Sequence, residues 1–543
     1  MPEPSKISDS RKRTLIRVFL IMIFVLALSA RIVPGARTID DSYITYRYVQ
    51  NILAGNGFVY NPGEHVLGTT TPFYAILLTL IGFFSGGVEA PFQHISMIVN
   101  ALADAITCLL LYQLGRHLGS EFAGIGAALV WAIAPYSVTF AIGGLETSVY
   151  VLLLVGTAFT HITGRHILTA FLGALMLLTR PDALILLGPI MLDRLWQIFR
   201  SNHPTNKSKL LFELLAFLIP TVIWIAFSTW YFGSPIPHSI TAKSQAYLLP
   251  ENSALTRLLQ HYSTVFLGQK TFGIPWIWVG FVLYPFLYLI GSREALKASK
   301  RSWPFLIYPW LYLITFSIAN PLIFRWYLTP PLASLMLIVL IGLERLTTDI
   351  GFFITRHRAK TVDQSSLSEP KKGWLTQVII TIFVIILPFL LSLHNWQLQP
   401  DHGFSQPAPS MAWYKLELKY QQAAEFLIDE FQAAPAEITL AAGDVGVLGY
   451  KTRAKILDTV GLNSPQSIRY YPLPESQHVN AYAISSDLIL DEEPDYIVIL
   501  EVYGRESLLK DQRFQDEYVL IHTITTDIYD SEGMLIFARS SIQ

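Results

Sequence analysis

Two adjacent carboxylates, Asp40 and Asp41, follow directly on the first long apolar run of the chain. The next turns carry Tyr43, Arg47 and a tyrosine at position 48, so acidic, basic and aromatic groups lie within one short segment. If this segment is helical, Tyr43 and Arg47 are four residues apart and share a face that could hold a phosphate and a ring. Such a segment is typical of an active-site rim. Helix capping is the alternative role, because Asp is a favoured residue at a helix start.

A second polar cluster lies in the loop 61–72, which is rich in Pro and Gly. Glu64 and His65 in this loop could bind a sugar or a metal ion, and with Asp41 they are the candidate metal ligands. A structural turn is the alternative interpretation, since Pro and Gly mark turns of defined geometry.

Three ionisable residues, Glu146, Arg180 and Asp182, stand in otherwise apolar surroundings. Ionisable groups at the centre of a membrane cost roughly 2.5 to 3.5 kcal/mol each, so they are functional candidates by default. Two alternatives remain open. Glu146 could cap a helix start, where a carboxylate suits the helix dipole, and Arg180 could simply pair with Asp182.

Two more segments place cations near predicted helix ends. Arg325 precedes a Trp and Tyr327, and its guanidinium could bind a phosphate with two parallel hydrogen bonds. The aromatic residues alone would form an interfacial belt. The loop that begins at residue 233 adds His238 and Lys243 on the same predicted side of the membrane.

Composition indicates a polytopic membrane protein. The 543 residues are 52% hydrophobic and 15% charged, whereas soluble domains have about 25% charged residues. The net charge of -1 gives no indication of a nucleic-acid partner, and we expect none. The one cysteine, Cys108, excludes an intrachain disulfide and a thiolate metal site.

Eleven apolar runs approach the ~17 to 25 residues that a spanning helix needs. They fall near residues 14–36, 92–115, 119–140, 147–163, 167–181, 183–199, 211–232, 272–291, 304–320, 326–346 and 374–394. We interpret the first run as an uncleaved helix rather than a signal peptide, because its small-residue cleavage pattern is weak. Basic residues then place the N-terminus in the cytoplasm.

That orientation requires the apolar stretch 73–84 not to cross the membrane. About twelve residues are too few to span it, so we expect a re-entrant or interfacial helix within one large external loop, 37–91. Residues 1–397 are then the transmembrane catalytic domain, and residues 398–543 form an extracytoplasmic α/β domain.

The C-terminal region has the composition of a domain of ~140 residues. Apolar β-like runs at 438–442 and 496–500 alternate with helix-like segments such as 420–431. The segments 444–450 and 458–463 could line a binding site, or they could be turns between strands and helices.

The order of these motifs resembles the GT-C superfamily of integral membrane glycosyltransferases. They are Asp-Asp-x-Tyr-Ile-x-x-Arg-Tyr after the first span, Asn-Pro-Gly-Glu and Thr-x-Pro before a short apolar helix, Gly-Leu-Glu-Thr, Thr-Arg-Pro-Asp, Gly-Ser-Pro-x-Pro and Arg-Trp-Tyr. Within the superfamily, the likeness is nearest to the mycobacterial arabinofuranosyltransferase (AftB) type and to bacterial dolichyl-phosphate-mannose mannosyltransferase-like proteins. It covers roughly residues 10–395.

The resemblance implies an enzyme of the bacterial cytoplasmic membrane that moves a sugar from a polyprenyl-phosphate donor to a glycan, lipid or protein hydroxyl outside. Asp40 or Asp41 would be the general base. Arg47, Arg180, Lys243 or Arg325 would stabilise the departing phosphate, or a divalent metal ion would do so. Inversion at the anomeric carbon is the expected outcome.

A transporter or flippase of lipid-linked sugars is the rival hypothesis. Transporters are built from inverted repeats with binding sites near the membrane midplane. The sequence has no convincing internal repeat, and its polar groups gather at one predicted face. A structural scaffold is a third interpretation, but it leaves Arg180 and Asp182 without a role.

Overall fold

The computed structural model describes residues 4–200, 207–266, 274–359, 412–479 and 481–542, together with four single positions between 386 and 391. The described residues up to position 359 are mostly helical. The α-helices are α1 (Pro4–Ile32), α2 (Asp40–Leu53), α3 (Pro72–Phe84), α4 (Phe92–His117), α5 (Glu121–Ile133), α6 (Pro135–Ile142), α7 (Thr147–Ile162), α8 (His166–Thr179), α9 (Leu184–Arg200), α10 (Lys207–Phe232), α11 (His238–Ala246), α12 (Ser253–Ser263), α13 (Ile274–Ala298), α14 (Trp303–Ala319) and α15 (Leu332–Ala359).

Six stretches of the described residues are helices long and apolar enough to cross a membrane. They are Arg13–Ile32, Phe92–His117, Lys207–Phe232, Ile277–Ala298, Lys300–Ala319 and Arg325–Gly351. Helices α5 and α6 would together make a seventh span, bent by 43°. The bend follows from Pro135, which lacks an N–H and forces the residue before it into an extended conformation.

The predicted count of eleven spans is not confirmed. Helices α7, α8 and α9 cover three of the predicted spans with 16, 14 and 17 residues, which is short for a crossing. The predicted span 374–394 lies almost entirely outside the described residues. The stretch predicted to be a short external helix is helix α3, with 13 residues, and its position at the membrane surface stays a prediction.

Buried Arg31 joins the first span to α4 through an ion pair and to the bent span through backbone hydrogen bonds. The Nε of Arg31 donates to an Oδ of Asp104 at 2.8 Å. Its Nη1 donates to the carbonyl of Ala132 at 2.7 Å, and Nη2 lies 3.4 Å from the carbonyl of Trp131. These carbonyls lie at the break, where Pro135 has no N–H to offer, so Arg31 replaces helix hydrogen bonds that the proline removes.

The C-terminal residues form a small α/β unit with a five-stranded sheet in the order β2-β1-β3-β5-β4. Its elements are α16 (Ala412–Glu430), β1 (Thr439–Ala442), α17 (Gly446–Thr452), β2 (Lys455–Asp458), α18 (Ser486–Glu492), β3 (Tyr496–Leu500), α19 (Glu501–Gly504), α20 (Gln512–Glu517), β4 (Tyr518–Ile524) and β5 (Met534–Arg539). The β-like runs predicted at 438–442 and 496–500 are β1 and β3. The helix-like segment 420–431 falls within α16 apart from its last residue.

Strand β1 lies between two parallel neighbours, β2 on one side and β3 on the other. The chain therefore leaves β1 toward one side and later returns on the other, the reversal of strand order at which open α/β sheets commonly bind ligands. The edge strand β2 lies against the segment between α2 and α3. Asn61 donates to the carbonyl of Ile456 at 2.9 Å and accepts from its N–H at 3.0 Å.

Candidate active site

Asp40 holds the C-terminal unit against helix α2. Its two carboxylate oxygens accept the N–H groups of Gly446 and Val447, each at 2.8 Å. These are the first donors of α17, which its own helix cannot satisfy. Burial and the nearby Asp444 raise the pKa of Asp40, while the two N–H groups lower it. Asp40 thus caps a helix about 400 residues away, whereas no side chain caps its own helix.

The contact between Asp40 and α17 leaves no space for a side chain at position 446. A Cβ placed on Gly446 would lie 1.8 Å from the backbone carbonyl oxygen of Asp40. Glycine is therefore required for this close approach of two backbones.

Asp41 differs from its neighbour. Its side chain is half-buried, and the described residues offer its carboxylate no hydrogen bond. Burial raises the pKa of Asp41, and the positive charge of Lys243 lowers it. Asp41 is therefore a carboxylate that feels the charge of a cation, and within the described residues no hydrogen bond commits its oxygens to the fold.

Lys243 lies on α11, with its Nζ 4.9 Å from the centre of the Phe324 ring. Burial opposes its charge, but Tyr327, Asp41 and Glu146 raise its pKa above the ordinary value. The ammonium group thus stays charged and interacts with Asp41 at the start of α2 and with Phe324 after α14.

Arg180 follows α8 and binds two carboxylates. Its Nε and Nη2 donate to the two oxygens of Asp182 at 2.9 and 3.1 Å, and Nη1 lies 3.4 Å from Oε1 of Glu146. The rings of Tyr150 and Tyr327 lie 5.1 and 4.7 Å from its guanidinium carbon. The pairing left open by the sequence is therefore present, and Glu146 joins it.

Six of the predicted site residues thus form one electrostatic cluster of mixed charge, in which Tyr327 interacts with both cations. They are Asp41, Glu146, Arg180, Asp182, Lys243 and Tyr327.

Tyr43 and Arg47 hold the C-terminal unit instead of facing this cluster. The hydroxyl of Tyr43 donates to Oε1 of Glu417 at 2.7 Å. Arg47 donates through Nε to the carbonyl of Tyr60 and through Nη2 to the carbonyl of Arg453, both at 3.2 Å. A role in substrate binding stays a prediction for both.

The candidate metal ligands are not brought together. Glu64 pairs with Lys455 at 2.8 Å, and the ring of His65 stacks on Tyr231 at 4.1 Å. Within the described parts of the chain, no group of three His, Cys, Asp or Glu side chains is placed to hold a metal ion. A metal site at Asp41, Glu64 and His65 therefore has no support from this geometry.

His238 and Arg325 lie at other places. His238 begins α11, five residues before Lys243, and its Nε2 is buried without a hydrogen bond among the described residues. Arg325 is half-buried, and its neighbours include Tyr136 and Arg257. Their substrate-binding roles remain predictions.

The sequence did not show that the C-terminal unit supplies acidic groups to this cluster. Asp444 follows β1 and accepts the hydroxyl of Tyr420 at 2.8 Å. Burial raises its pKa to about 6, and the charges of Asp41 and Asp458 add to that rise. Tyr247 lies in the same electrostatic environment, with Asp444 and Asp41 as its acidic neighbours. No sequence motif points to Tyr247, which directly follows α11.

Asp458 has a structural role. Its carboxylate accepts the N–H groups of Val460, Gly461 and Asn463 at 3.0, 3.0 and 2.8 Å. The sequence left two roles open for the segments 444–450 and 458–463. The segment 458–463 is a turn held by hydrogen bonds to Asp458, and the segment 444–450 begins with Asp444, which interacts with the cluster.

The comparisons with known proteins cover both parts of the chain. Residues 411–537 match a family model described as Domain of unknown function (DUF8728). The terminal beta-(1->2)-arabinofuranosyltransferase of Mycobacterium tuberculosis (strain ATCC 25618 / H37Rv) is 29% identical over 227 residues, which are 38% of this chain and 35% of that protein. The match thus spans about a third of the relative's length.

Two kinds of solved structure share the fold. The archaeal oligosaccharyltransferase AglB from Archaeoglobus fulgidus, in complex with an inhibitory peptide and a dolichol-phosphate, matches 97% of this chain and 74% of its own, with a TM-score of 0.55 and 12% identity. ArnT from Cupriavidus metallidurans, bound to undecaprenyl phosphate, matches 97% of this chain and 98% of its own, with a TM-score of 0.54 and 12% identity.

These likenesses confirm the GT-C resemblance at the level of the fold. The predicted fold class, a helical polytopic membrane part with a small C-terminal α/β unit, is confirmed with it. With six helices of spanning length among the described residues, the chain is a multi-pass membrane protein.

Proposed function

We propose that this chain is a membrane glycosyltransferase that moves a sugar from a polyprenyl-phosphate donor to an acceptor hydroxyl on the outer face of the membrane. Asp41 is its general base. The observation that carries the proposal is the division of labour within the acidic pair. Both carboxylate oxygens of Asp40 accept hydrogen bonds from α17. The carboxylate of Asp41 has no hydrogen bond within the described residues and interacts electrostatically with Lys243.

The reaction needs one proton acceptor and one stabiliser of negative charge. Asp41 takes the proton of the acceptor hydroxyl, whose oxygen then forms the bond to the anomeric carbon. The bond from that carbon to the phosphate oxygen breaks, and the polyprenyl phosphate leaves with the electron pair. Lys243 and Arg180 stabilise the charge that develops on the phosphate. Direct displacement of the phosphate by the acceptor oxygen, with Asp41 as base and no covalent glycosyl-enzyme, inverts the anomeric carbon.

The relatives support the substrate classes. The related solved structures hold dolichol-phosphate or undecaprenyl phosphate, and the mycobacterial relative is named for arabinofuranosyl transfer. An arabinofuranosyl polyprenyl phosphate is therefore the first donor to test. Asp444, at the carboxyl end of β1, and Tyr247 interact electrostatically with Asp41, so we assign the glycan acceptor to the side of the C-terminal unit.

The position of the charges favours an enzyme over a transporter. Glu146 directly precedes α7, Arg180 directly follows α8, and Asp41 lies in the first turn of α2. The cluster is thus built from helix ends at one side of the helical part. A transporter would place its site near the middle of the membrane.

Single-turnover sugar transfer in reconstituted membranes tests the proposal. A panel of labelled polyprenyl-phosphate sugars is offered to the wild type and to the Asp40→Asn and Asp41→Asn variants. Asp41→Asn should lower transfer by about 10²- to 10⁴-fold and leave donor binding intact, since it removes a base and no structural contact. Asp487→Asn, at an exposed ion pair with Arg513, is the matched control. Full transfer by Asp41→Asn would refute the assignment of the base, and movement of labelled lipid between leaflets without transfer would establish the transporter.

A second pair of variants separates the base from the docking contact. Gly446→Ala should weaken the docking of α17 on Asp40, because the added Cβ overlaps the Asp40 carbonyl, and transfer should fall about tenfold or more through misplacement. Gly188→Ala adds a Cβ with nothing within 4 Å and should leave transfer unchanged. Protease accessibility of the C-terminal unit should rise in Gly446→Ala and stay at the wild-type level in Asp41→Asn.

A further inference from the structure

A cavity of about 750 Å³ lies between α8, α9 and α10, at the ends of these helices opposite to Arg180. It begins at Arg165, directly before α8, whereas Arg180 directly follows that helix. The 14 residues of α8 separate the cavity mouth from the candidate active site by about 21 Å at 1.5 Å per residue. The cavity is therefore distinct from the site of sugar transfer.

Charge and apolar surface follow one another along the cavity. Arg165 and Lys209 line it at the starts of α8 and α10, and Phe171 and Ala216 line it about two turns further along the same helices. Helix α10 is otherwise largely uncovered, with only 6% of its most apolar window buried. The cavity thus has cations at the end of the helices and an apolar wall that continues toward the middle of the predicted membrane.

The charge of the lining is positive. Arg165, Arg194 and Lys209 are its cations, and Glu213 is the one acid among the described lining residues. Glu213 is already engaged, because Nε and Nη2 of Arg194 donate to its two oxygens at 2.9 and 2.8 Å. Arg165 and Lys209 are exposed, so their charges remain for an anion.

We infer that this cavity binds an anionic glycerophospholipid, with its phosphate between Arg165 and Lys209 and an acyl chain along Phe171 and Ala216. Such a lipid carries its negative charge at one end and its hydrocarbon beyond it, which matches the cations and the apolar wall of the cavity. The positive-inside rule predicts this face to be cytoplasmic, where anionic lipids give the membrane its negative surface potential. The lipid would brace α8 against α10 from the side opposite to the active site.

Native mass spectrometry of the full chain, titrated with dioleoyl phosphatidylglycerol, tests this inference. One lipid should bind saturably, and phosphatidylcholine should bind at least about tenfold more weakly. The double variant Arg165→Gln/Lys209→Gln should weaken phosphatidylglycerol binding by about 30-fold, since each cation near an anionic headgroup contributes about fivefold. The control variant Arg116→Gln/Lys300→Gln removes two exposed cations outside the cavity, and its affinity should stay within about twofold of the wild type.

A further variant tests the apolar half. Ala216→Trp fills the cavity while keeping every charge, so it should abolish binding of the lipid. Equal loss in the control double variant would show general surface attraction and would overturn the inference. Inorganic phosphate that competes as strongly as the lipid would show a free phosphate site instead, and preference for undecaprenyl phosphate would show a donor site. Either result also refutes the lipid.

Discussion

Two buried arginines lie at the C-terminal ends of helices α1 and α8, and they differ in how many of their N–H groups are hydrogen-bonded. Arg31 directs its five N–H bonds to the carboxylate of Asp104, to three backbone carbonyls and to the hydroxyl of Ser137. Arg180 makes three hydrogen bonds to Asp182 and Glu146, and two tyrosine rings cover its faces. Arg31 therefore has all of its N–H groups hydrogen-bonded, whereas Arg180 keeps N–H groups without a hydrogen bond among the described residues.

The comparison shows that burial of a charge does not by itself indicate function. Asp104 is also fully used, since it accepts from Trp131 Nε1 at 3.0 Å and from the hydroxyl of Ser148 at 2.8 Å. This pair replaces backbone hydrogen bonds at a broken helix. Within the described residues, Arg180 keeps N–H donors without a hydrogen bond, and the proposed binding of a phosphate requires such donors.

The largest effect is expected at the satisfied pair. Arg31→Leu should lower the free energy of unfolding by about 3–5 kcal/mol, because it leaves the Asp104 carboxylate buried without its cation. Denaturant unfolding of the purified chain measures this loss. The double variant Arg31→Leu/Asp104→Leu should recover part of it, since both charges are then absent. If the single and double variants were equally destabilised, the pair would not be the source of the stability.

The Arg180 cluster should respond in the opposite way. Arg180→Gln should reduce sugar transfer by about 10²- to 10³-fold, the loss typical of removing one stabiliser of transition-state charge. Its effect on unfolding should stay at about 1–2 kcal/mol, because Asp182 and Glu146 lie at helix ends and keep some exposure. Transfer rates and unfolding curves measured on the same preparation decide this. A large loss of stability with intact transfer would make Arg180 a second structural pair.

Glu417 offers a smaller, third case, a buried acid that is hydrogen-bonded to Tyr43 and Gln421. Burial raises its pKa to about 7, although these hydrogen bonds lower it. A carboxyl with a raised pKa in the folded state stabilises less as pH rises from the ordinary value near 4.5 through 7. The wild type should therefore lose up to about 2 kcal/mol between pH 5 and pH 8 that Glu417→Gln does not lose. Thermal unfolding at both pH values tests this, and parallel curves for the two proteins would contradict it.

Local features of the sequence predicted the local structure. Hydropathy located α4 and α10 within a few residues, because a spanning helix needs a fixed length of apolar chain. It located only the apolar part of α1, Arg13–Ile32, since the helix itself begins at Pro4. The β-like runs identified β1 and β3. The short helices α7, α8 and α9 show the limit of this argument, since apolar composition alone does not fix where a helix ends.

The sequence predicted which charged residues belong to the candidate site. It did not predict which of them bind the substrate and which hold the fold. The acidic pair, Glu146, Arg180, Asp182 and Lys243 are recognisable as charges in an apolar context. That Tyr43 and Arg47 share a face is a consequence of helical spacing. The partner of that face, the C-terminal unit, lies hundreds of residues away, and no local pattern specifies it.

The sequence by itself determined that this chain is a polytopic membrane protein with an acidic pair after its first span and an α/β unit at its end. Only the tertiary structure decided that Asp40 caps α17 and that Asp41 stays uncommitted beside Lys243. The physical reason is that adjacent carboxylates are chemically identical in a sequence. Their roles differ only through the groups that folding brings to each, here the N–H groups of Gly446 and Val447 on one side and an ammonium group on the other.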